Sequence, residues 1–284
     1  MRAIRYACLS CLAWGTMVGS AVAGSSLTCT NPGEVNSSGK VCRADSGGGL
    51  VWGNKFRILY YGDSLAAESA RYVRASVTAH GRATITDRSV PGTSPCDWTT
   101  AIKLDLSRGR PDAVMVETFG NNISRCQIRN GVRPAPKSAA YWTAYERDLL
   151  ALVQRFPAGV PLWLYAAPAA RNDLAGGYSQ KARMLALMDR IAAGRPNTWS
   201  VDAGAAVESP AGAYTAYLPC LLDEACAGSP TAGSNRVRAL DGLHFCPVIV
   251  SATIAQLRSC PVYASGAKRF GAAQAAPVVQ MLGL

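Results

Sequence analysis

Residues 56–65 read FRILYYGDSL, an apolar run followed by a short polar turn. The run over 56–61 is apolar and aromatic, which predicts a short buried strand. Gly62 has no Cβ and therefore permits a tight turn after that strand. Over residues 65–79, apolar and small side chains recur at helical spacing, which predicts a helix. This strand–turn–helix unit is the pattern that organises the chain.

The alternation continues toward the C-terminus. Apolar runs predict four further strands, at residues 83–90, 112–119, 161–167 and 199–202. Helical spacing predicts four further helices, at residues 97–106, 138–156, 179–193 and 248–257. This order of elements favours an α/β fold, in which a mainly parallel sheet is covered by helices on both faces. Ligand sites in such sheets lie beyond the carboxyl ends of the strands.

Ser64 follows the first predicted strand, directly after Gly62 and Asp63. The unpaired N–H groups and the dipole at a helix N-terminus favour negative charge. A serine placed there is a candidate nucleophile, because its reaction with an acyl group creates an oxyanion. The alternative is structural: Asp63 or Ser64 only caps the helix.

Asp241 and His244 lie three residues apart near the C-terminus. This spacing brings a carboxylate beside an imidazole, where the carboxylate can fix the tautomer and stabilise the protonated ring. The chain contains two histidines, and the other, His80, lies in a polar turn just before a strand. His244 is therefore the candidate general base. The alternative is a capping aspartate beside an incidental histidine.

The ends of the second and third predicted strands offer donors for an oxyanion. Gly92 presents an unobstructed backbone N–H, and Asn121 or Asn122 presents a side-chain NH₂. Each such donor is worth about 2.7–4 kcal/mol in acyl transfer. Both segments also suit ordinary turns, since Pro91-Gly92 and Gly120-Asn121 are common strand terminators.

Together the four segments resemble the SGNH hydrolase superfamily, also called GDSL esterases and lipases. The similarity extends over residues 56–257. The third segment differs from the commonest Gly-x-Asn-Asp form, but it resembles exported bacterial members in which Asn directly follows Gly and a Cys comes soon after. Its members here are Gly120, Asn121 and Cys126. Residues 238–247, RALDGLHFCP, also resemble the fourth segment of exported members.

The resemblance implies a single three-layer α/β/α domain of flavodoxin-like type, with about five parallel strands and a short C-terminal helix. It implies that Ser64 is the nucleophile, and that Asp241 and His244 complete the triad. The oxyanion donors would be the N–H groups of Ser64 and Gly92 together with the side chain of Asn121, and Asn122 stays open as the alternative. No metal or organic cofactor is required.

The implied activity is that of a serine esterase that hydrolyses carboxylic esters, such as acetylated glycans or lipid esters. Two other functions remain open: an O-acetyltransferase acting on envelope polysaccharide, and a non-catalytic envelope-binding protein on an esterase-like scaffold. The expected partner is an ester substrate, with at most transient membrane contact, and the chain is expected to be a monomer. The formal net charge is +11, but the basic residues are scattered, which favours a basic surface and disfavours nucleic-acid binding.

Residues 1–23 have the features of a secretory signal peptide. Arg2 and Arg5 precede an apolar stretch over 7–22, and residues 21–23 form a small-x-small cleavage site. An uncleaved membrane anchor is the alternative. The expected location is therefore outside the cell, in the periplasm or in the cell envelope.

Cleavage after residue 23 would leave a disulfide-stapled, irregular segment over 24–54 and a hydrolase domain over 55–284. Eight of the ten cysteines lie in this part, and in an exported chain they predict disulfides. A zinc site is disfavoured, because the remaining chain has no CxxC pair. The sequence does not determine the pairing. Pairing of neighbours would join Cys29–Cys42, Cys96–Cys126, Cys220–Cys226 and Cys246–Cys260.

A disulfide between Cys96 and Cys126 would also affect the proposed oxyanion donors. Cys96 follows Gly92 and Cys126 follows Asn121 by a few residues, so a disulfide between them would hold the two loops with the proposed oxyanion donors together. The simpler interpretation, that this bond only stabilises an exported chain, stands beside it.

Overall fold

The computed structural model describes residues 28–44, 49–173, 180–224, 226, 233–245 and 265–284. Its helices and strands alternate through most of this range. The strands are β1 (Val41–Ala44), β2 (Leu50–Gly53), β3 (Phe56–Gly62), β4 (Ala83–Ser89), β5 (Ala113–Thr118), β6 (Leu162–Ala166), β7 (Thr198–Val201), β8 (Tyr217–Pro219) and β9 (Ser234–Arg236). The α-helices are α1 (Ser64–Thr78), α2 (Thr99–Ser107), α3 (Ala139–Val153), α4 (Gln180–Ala193) and α5 (Ser265–Leu282).

Within the described residues, the central sheet has five strands in the order β4-β3-β5-β6-β7. Every neighbouring pair is parallel. This is the strand order of flavodoxin-like folds. β5 and β6 are buried along their whole length, which explains why they appear in the sequence as continuous apolar runs. The predicted mainly parallel sheet is therefore confirmed.

Helices cover both faces of the sheet and enclose two apolar cores. On one face, α1 and α5 pack over side chains such as Ile58 and Met115. On the other face, α2, α3 and α4 pack over side chains such as Leu59 and Val116. These alternating residues of β3 and β5 point to opposite faces, as the period of two in a strand requires. The predicted three-layer α/β/α architecture is confirmed.

α5 has 18 residues, and no helix was predicted over its range. Two glycines let it approach closely: a Cβ on Gly271 would lie 3.0 Å from the Ser69 carbonyl oxygen of α1, and one on Gly266 would lie 2.0 Å from the Val237 oxygen. The buried Tyr60 hydroxyl of β3 donates a hydrogen bond to Gln274 of α5 at 2.5 Å. α5 is therefore an integral part of the helical layer behind β3.

The segment before β3 is less irregular than expected, because β1 and β2 pair as an antiparallel hairpin. Three disulfides join the neighbours that sequence proximity suggested: Cys29–Cys42, Cys96–Cys126 and Cys220–Cys226. None of the described helices combines the length and the apolar character needed to cross a bilayer. The predicted signal peptide, the helix over 248–257 and the cysteines at 246 and 260 lie outside the described residues.

Candidate active site

Ser64 is the first residue of α1, immediately beyond the carboxyl end of β3. Asp63 caps the helix, because its Oδ1 accepts a hydrogen bond from the Leu65 N–H at 3.1 Å. The turn needs glycine at position 62, since a Cβ there would lie 2.1 Å from the Cβ of Ala66. Asp63 is thus the N-cap of α1, and the hydroxyl of Ser64 is available for another partner.

That partner is His244. Its Nε2 lies 3.0 Å from the Oγ of Ser64, and its Nδ1 lies 2.6 Å from Oδ2 of Asp241. The other carboxylate oxygen of Asp241 accepts hydrogen bonds from the N–H groups of Leu243 and His244, at 2.9 Å and 3.0 Å. The fold therefore brings together the three residues that the sequence singled out, although Ser64 and His244 are 180 positions apart. The other histidine, His80, is exposed at the end of α1.

The electrostatics of this trio favour a charged carboxylate and a basic imidazole. Burial opposes ionisation of Asp241, but hydrogen bonds from His244 and from the backbone N–H groups lower its pKa well below the usual range. Burial alone would lower the pKa of His244, yet the hydrogen bond that its Nδ1–H donates to Asp241 and the negative charges of Glu68 and Asp241 outweigh it and raise that pKa. The arrangement can accept a proton from Ser64 and stabilise the resulting imidazolium.

Two backbone N–H groups at the site are free to donate. Within the described residues, neither the Ser64 N–H nor the Gly92 N–H has a hydrogen-bond acceptor. Gly92 has a φ of 75°, a conformation that L side chains rarely adopt. A Cβ on Gly92 would also lie 3.0 Å from the Ile123 side chain. The glycine at this position is therefore required by the backbone as well as by the proximity of Ile123.

The two asparagines of the third segment have different surroundings. The side-chain NH₂ of Asn121 donates to Oδ2 of Asp63 at 3.0 Å and to the Thr93 carbonyl oxygen at 3.2 Å. The NH₂ of Asn122 instead donates to the Pro134 carbonyl oxygen at 3.3 Å. Asn121 is thus the one beside the Ser64 turn and the Gly92 loop, but both of its N–H groups already have acceptors.

A disulfide and three hydrogen bonds join the loops that follow β4 and β5, and one of them is the bond from Asn121 to the Thr93 carbonyl oxygen. The Cα atoms of Cys96 and Cys126 are 5.9 Å apart. The hydroxyl of Ser94 donates to the Asn121 carbonyl oxygen at 2.8 Å, and that of Ser124 donates to Asp97 at 2.6 Å. These loops carry Gly92 and Asn121, as the sequence suggested.

Sequence reasoning missed a pair of carboxylates beneath the serine. Asp63 and Glu117 are both fully buried. Oε2 of Glu117 accepts a 3.4 Å hydrogen bond from the Asp63 N–H, and Oδ2 of Asp63 accepts one from the Phe119 N–H at 2.9 Å. Burial raises the pKa of both, and the negative charge of Asp63 raises that of Glu117 further. The signal was present in the sequence, because Glu117 is the acidic residue in a strand that otherwise reads as apolar.

Glu68 is a second buried carboxylate that the sequence did not reveal. It is 1% exposed, and its Oε2 accepts a hydrogen bond from the Phe245 N–H at 2.8 Å. Burial raises its pKa to about 7, while the positive charge of His244 opposes that rise. Its position four residues after Ser64 on α1 is the only signal that could have linked it to the site.

Potential metal ligands come together at one place in the described part of the chain, where Cys96, Asp97 and Cys126 meet. The two sulfurs are joined in a disulfide, so they offer no thiolate to a metal. This group is thus a structural link between loops.

Solved structures share the fold at low sequence identity. The lipase/acylhydrolase from Enterococcus faecalis is 15% identical, has a TM-score of 0.51, and covers 80% of this chain and 96% of its own. LAE5, an alpha/beta hydrolase enzyme from the metagenome of Lake Arreo, Spain, is 16% identical with a TM-score of 0.49, covering 80% and 95%. The acetylxylan esterase Axe2 from Geobacillus stearothermophilus is 15% identical with a TM-score of 0.46, covering 81% and 94%. The Enterococcus structure supports the SGNH-type fold.

Sequence comparison adds the family. No curated protein matches the chain. A family model described as "Protein of unknown function (DUF459)" matches residues 57–248. This range covers more than half of the chain and runs from β3 to just beyond His244. The chain therefore belongs to the DUF459 family.

Proposed function

We propose that the protein is a serine hydrolase that cleaves carboxylic esters. The observation that carries this proposal is the continuous chain of short contacts from Ser64 Oγ to His244 Nε2, at 3.0 Å, and from His244 Nδ1 to Asp241, at 2.6 Å. Both distances lie within the range required of a nucleophile, its base and the group that orients the base. The position of Ser64 at a helix N-terminus adds to this support.

The mechanism would be two-step acyl transfer. His244 takes the Ser64 proton as Oγ attacks the ester carbonyl, and the resulting oxyanion is held by the N–H groups of Ser64 and Gly92. Asn121 would add a third donor by exchanging its bond to the Thr93 carbonyl for one to the oxyanion. His244 then protonates the leaving alcohol, and water releases the acyl group from Ser64 in the reverse sequence of proton transfers.

For the substrate, we favour an acylated glycan over a lipid ester. Arg171 and Tyr214 contribute to the lining of a cavity of about 390 Å³. The Arg171 N–H donates to the Gly242 carbonyl oxygen at 2.8 Å, so one lining residue contacts the turn between Asp241 and His244. The Arg171 guanidinium lies 5.5 Å from the centre of the Tyr214 ring. Four alanines and a glycine form the rest of the wall, and we take the side chains of Arg171, Asp173 and Tyr214 to favour a sugar with its hydroxyl groups.

We further propose that the protein works outside the cytoplasm, in the cell envelope or beyond it. The support is chemical, since the three disulfides of the described residues are typical of oxidising compartments. The basic start and the apolar stretch over residues 7–22 agree with export.

The test combines covalent labelling with turnover. We expect a fluorophosphonate probe to label the wild-type protein and to leave Ser64→Ala unlabelled, and we expect that variant to lose hydrolysis of p-nitrophenyl acetate. Ser69→Ala is the matched control, because Ser69 is buried on the same helix and donates to the Leu65 carbonyl oxygen at 2.9 Å. Absence of labelling and turnover in the wild-type protein would favour the binding-protein alternative.

A series of ester substrates tests which acyl group and which alcohol the protein prefers. Purified protein is given p-nitrophenyl esters of increasing chain length and, separately, acetylated polysaccharide. We expect release of acetate from the polysaccharide and falling rates with longer acyl chains. A preference for long acyl chains would contradict the glycan assignment. Transfer of acetate to an added sugar faster than to water would identify the O-acetyltransferase alternative.

A further inference from the structure

Glu68 and Ser64 share one face of α1, because residues four apart on a helix lie one above the other. Ser64 is the first residue of the helix and contacts His244 through its hydroxyl. Glu68, one turn later, accepts the N–H of Phe245 at 2.8 Å. α1 thus contacts Nε2 of His244 through Ser64 and the backbone N–H of the next residue, Phe245, through Glu68.

The segment that carries His244 is also held from its other sides. The fully buried ring of Phe245 lies 5.2 Å from that of Phe270 in α5. The Ala239 N–H donates to the His244 carbonyl oxygen at 2.8 Å, which closes the turn that contains Asp241. The hydrogen bond to Glu68 ties this turn to α1, where the nucleophile lies. The distance between Ser64 and His244 therefore depends on it.

We propose that Glu68 is a positioning residue, which holds His244 at the correct distance from Ser64 and whose negative charge favours the protonated imidazole that forms when His244 accepts the Ser64 proton. This inference rests on the proposed esterase function and deepens it. Asp241 would orient the ring from one side, while Glu68 holds the backbone and adds a second negative charge. A merely structural role would require only an acceptor for the Phe245 N–H.

His244 and Glu68 are each surrounded by charged groups of the described residues. His244 feels the negative charges of Asp241, Glu68 and Asp63, and all three raise its pKa. Glu68 feels His244 and Arg238 as positive neighbours and Asp241 as a negative one.

Arg238 completes the surroundings of Glu68. It is 1% exposed, and its guanidinium lies 5.5 Å from the centre of the Phe245 ring. Burial lowers its pKa to about 10, against the opposing charges of Tyr214, Glu208, Asp241 and Glu68. It therefore remains a cation at neutral pH. Its positive charge favours the carboxylate form of Glu68.

The first experiment measures the His244 pKa directly by NMR titration of the imidazole resonances in the full-length protein. The chain has two histidines, so His80→Asn assigns the two signals. Glu68→Gln keeps an oxygen that can accept the Phe245 N–H but removes the charge. We expect it to lower the His244 pKa by about half a unit or more, since an anion near a cationic acid raises its pKa. An unchanged His244 pKa would overturn the electrostatic part of the proposal.

The second experiment measures kinetics for Glu68→Gln, Glu68→Ala and the control Ser69→Ala. We expect Glu68→Ala to lower kcat on the order of 10- to 100-fold with little change in KM, because a small misplacement of catalytic groups has effects of this size. Glu68→Gln should keep most of kcat above pH 8 and should shift the acidic limb of its pH profile to lower pH. Equal kcat values for Glu68→Ala and Ser69→Ala would overturn the positioning role.

The two experiments also separate this inference from the function on which it rests. The NMR titration needs no substrate, so it gives a result even for a protein that hydrolyses no ester. A wild-type protein without labelling or turnover would refute the esterase function. An active wild-type enzyme whose Glu68 variants behave like Ser69→Ala would refute only the inference.

Discussion

Two groups of buried acidic residues lie in different parts of this fold and are neutralised in different ways. The paired carboxylates, Asp105 and Glu224, each face an arginine: Arg88 lies 2.6 Å from Asp105, and Arg269 lies 2.7 Å from Glu224. The site carboxylates, Asp63, Glu68 and Glu117, gather around the start of α1. In the described residues, none of these three accepts a hydrogen bond from an arginine or lysine.

The pKa values of the two groups shift in opposite directions. Burial opposes ionisation in both, but hydrogen bonds from the arginines outweigh it for the paired carboxylates, lowering the pKa of Asp105 and bringing that of Glu224 to about 2. The site carboxylates lack such a partner, and burial raises their pKa values. The paired carboxylates therefore stay ionised to lower pH than an ordinary carboxyl group, whereas the site carboxylates keep their protons to higher pH.

Asp241 lies between the two groups, because its partner is His244, which would gain a positive charge on accepting the Ser64 proton in the proposed reaction. We expect Asp241→Asn to lower kcat by about 10⁴-fold, since the amide no longer stabilises the imidazolium or the correct tautomer. The free energy of unfolding should change little, because the side chain is partly exposed. Steady-state kinetics and urea unfolding of the same preparation measure both. A variant with more than a tenth of wild-type kcat would contradict the role of Asp241.

The paired carboxylates should show the reverse behaviour. We expect Asp105→Asn to lower the free energy of unfolding by about 3–5 kcal/mol at pH 7, because it breaks a buried ion pair, and to leave kcat of the folded fraction unchanged. The exposed pair Arg190–Glu146 provides the control: Glu146→Gln should cost about 1 kcal/mol or less. Equal midpoints in urea for the two variants would show that the Arg88 pair is not a special stabilising element.

Glu117→Gln tests whether a site carboxylate changes the pH dependence of the free energy of unfolding. The folded-state pKa of Glu117 lies above its unfolded value, so the folded protein binds more protons than the unfolded chain between the two. The free energy of unfolding should consequently fall as pH rises through that window, by at most about 1.4 kcal/mol per pH unit for this group. Glutamine cannot titrate, and the variant should show a shallower decline between pH 5 and 8. Identical slopes in wild type and variant would mean that Glu117 ionises normally.

The disulfide Cys96–Cys126 holds the loop whose Asn121 donates to Asp63, so its removal loosens the surroundings of a site carboxylate. We expect the double variant Cys96→Ala/Cys126→Ala, where it remains folded, to lower kcat by about 10-fold and to raise KM less, because loose donors must be ordered during the reaction. The pair Cys29→Ala/Cys42→Ala is the control, since it removes a disulfide of the N-terminal segment. Equal kcat values in the two double variants would show that the Cys96–Cys126 disulfide only stabilises the fold.

The parts of this protein that sequence predicts are those whose signals are local. Ser64 follows its strand within three residues, and Asp241 and His244 lie within one turn of each other. β5 and β6 are buried throughout and mostly apolar, because helices cover both faces of the sheet. In each case the residue types and their spacing contain the physical reason for the structure.

The parts that sequence did not predict depend on contacts between distant segments. Glu68 meets Phe245 across 177 positions, and Glu117 meets Asp63 across 54. The apolar strand around Glu117 indicates that this glutamate is buried, but nothing near either glutamate indicates which group it faces. α5 was not predicted, for a related reason. Its packing on α1 depends on absent side chains, as at Gly271, and small residues give little contrast between the apolar and polar faces of a helix.

The hydrogen bond between Tyr60 and Gln274 spans 214 positions of the chain. The strand that leads to Ser64 is thus made early, whereas the helix that supports it comes after every other described element. A nascent chain without residues 265–282 leaves the apolar side of α1 open to water. This half of the core can therefore fold only after residues 265–282 have been made, and a chain that crossed a membrane channel unfolded would pack this helix against α1 only on the far side.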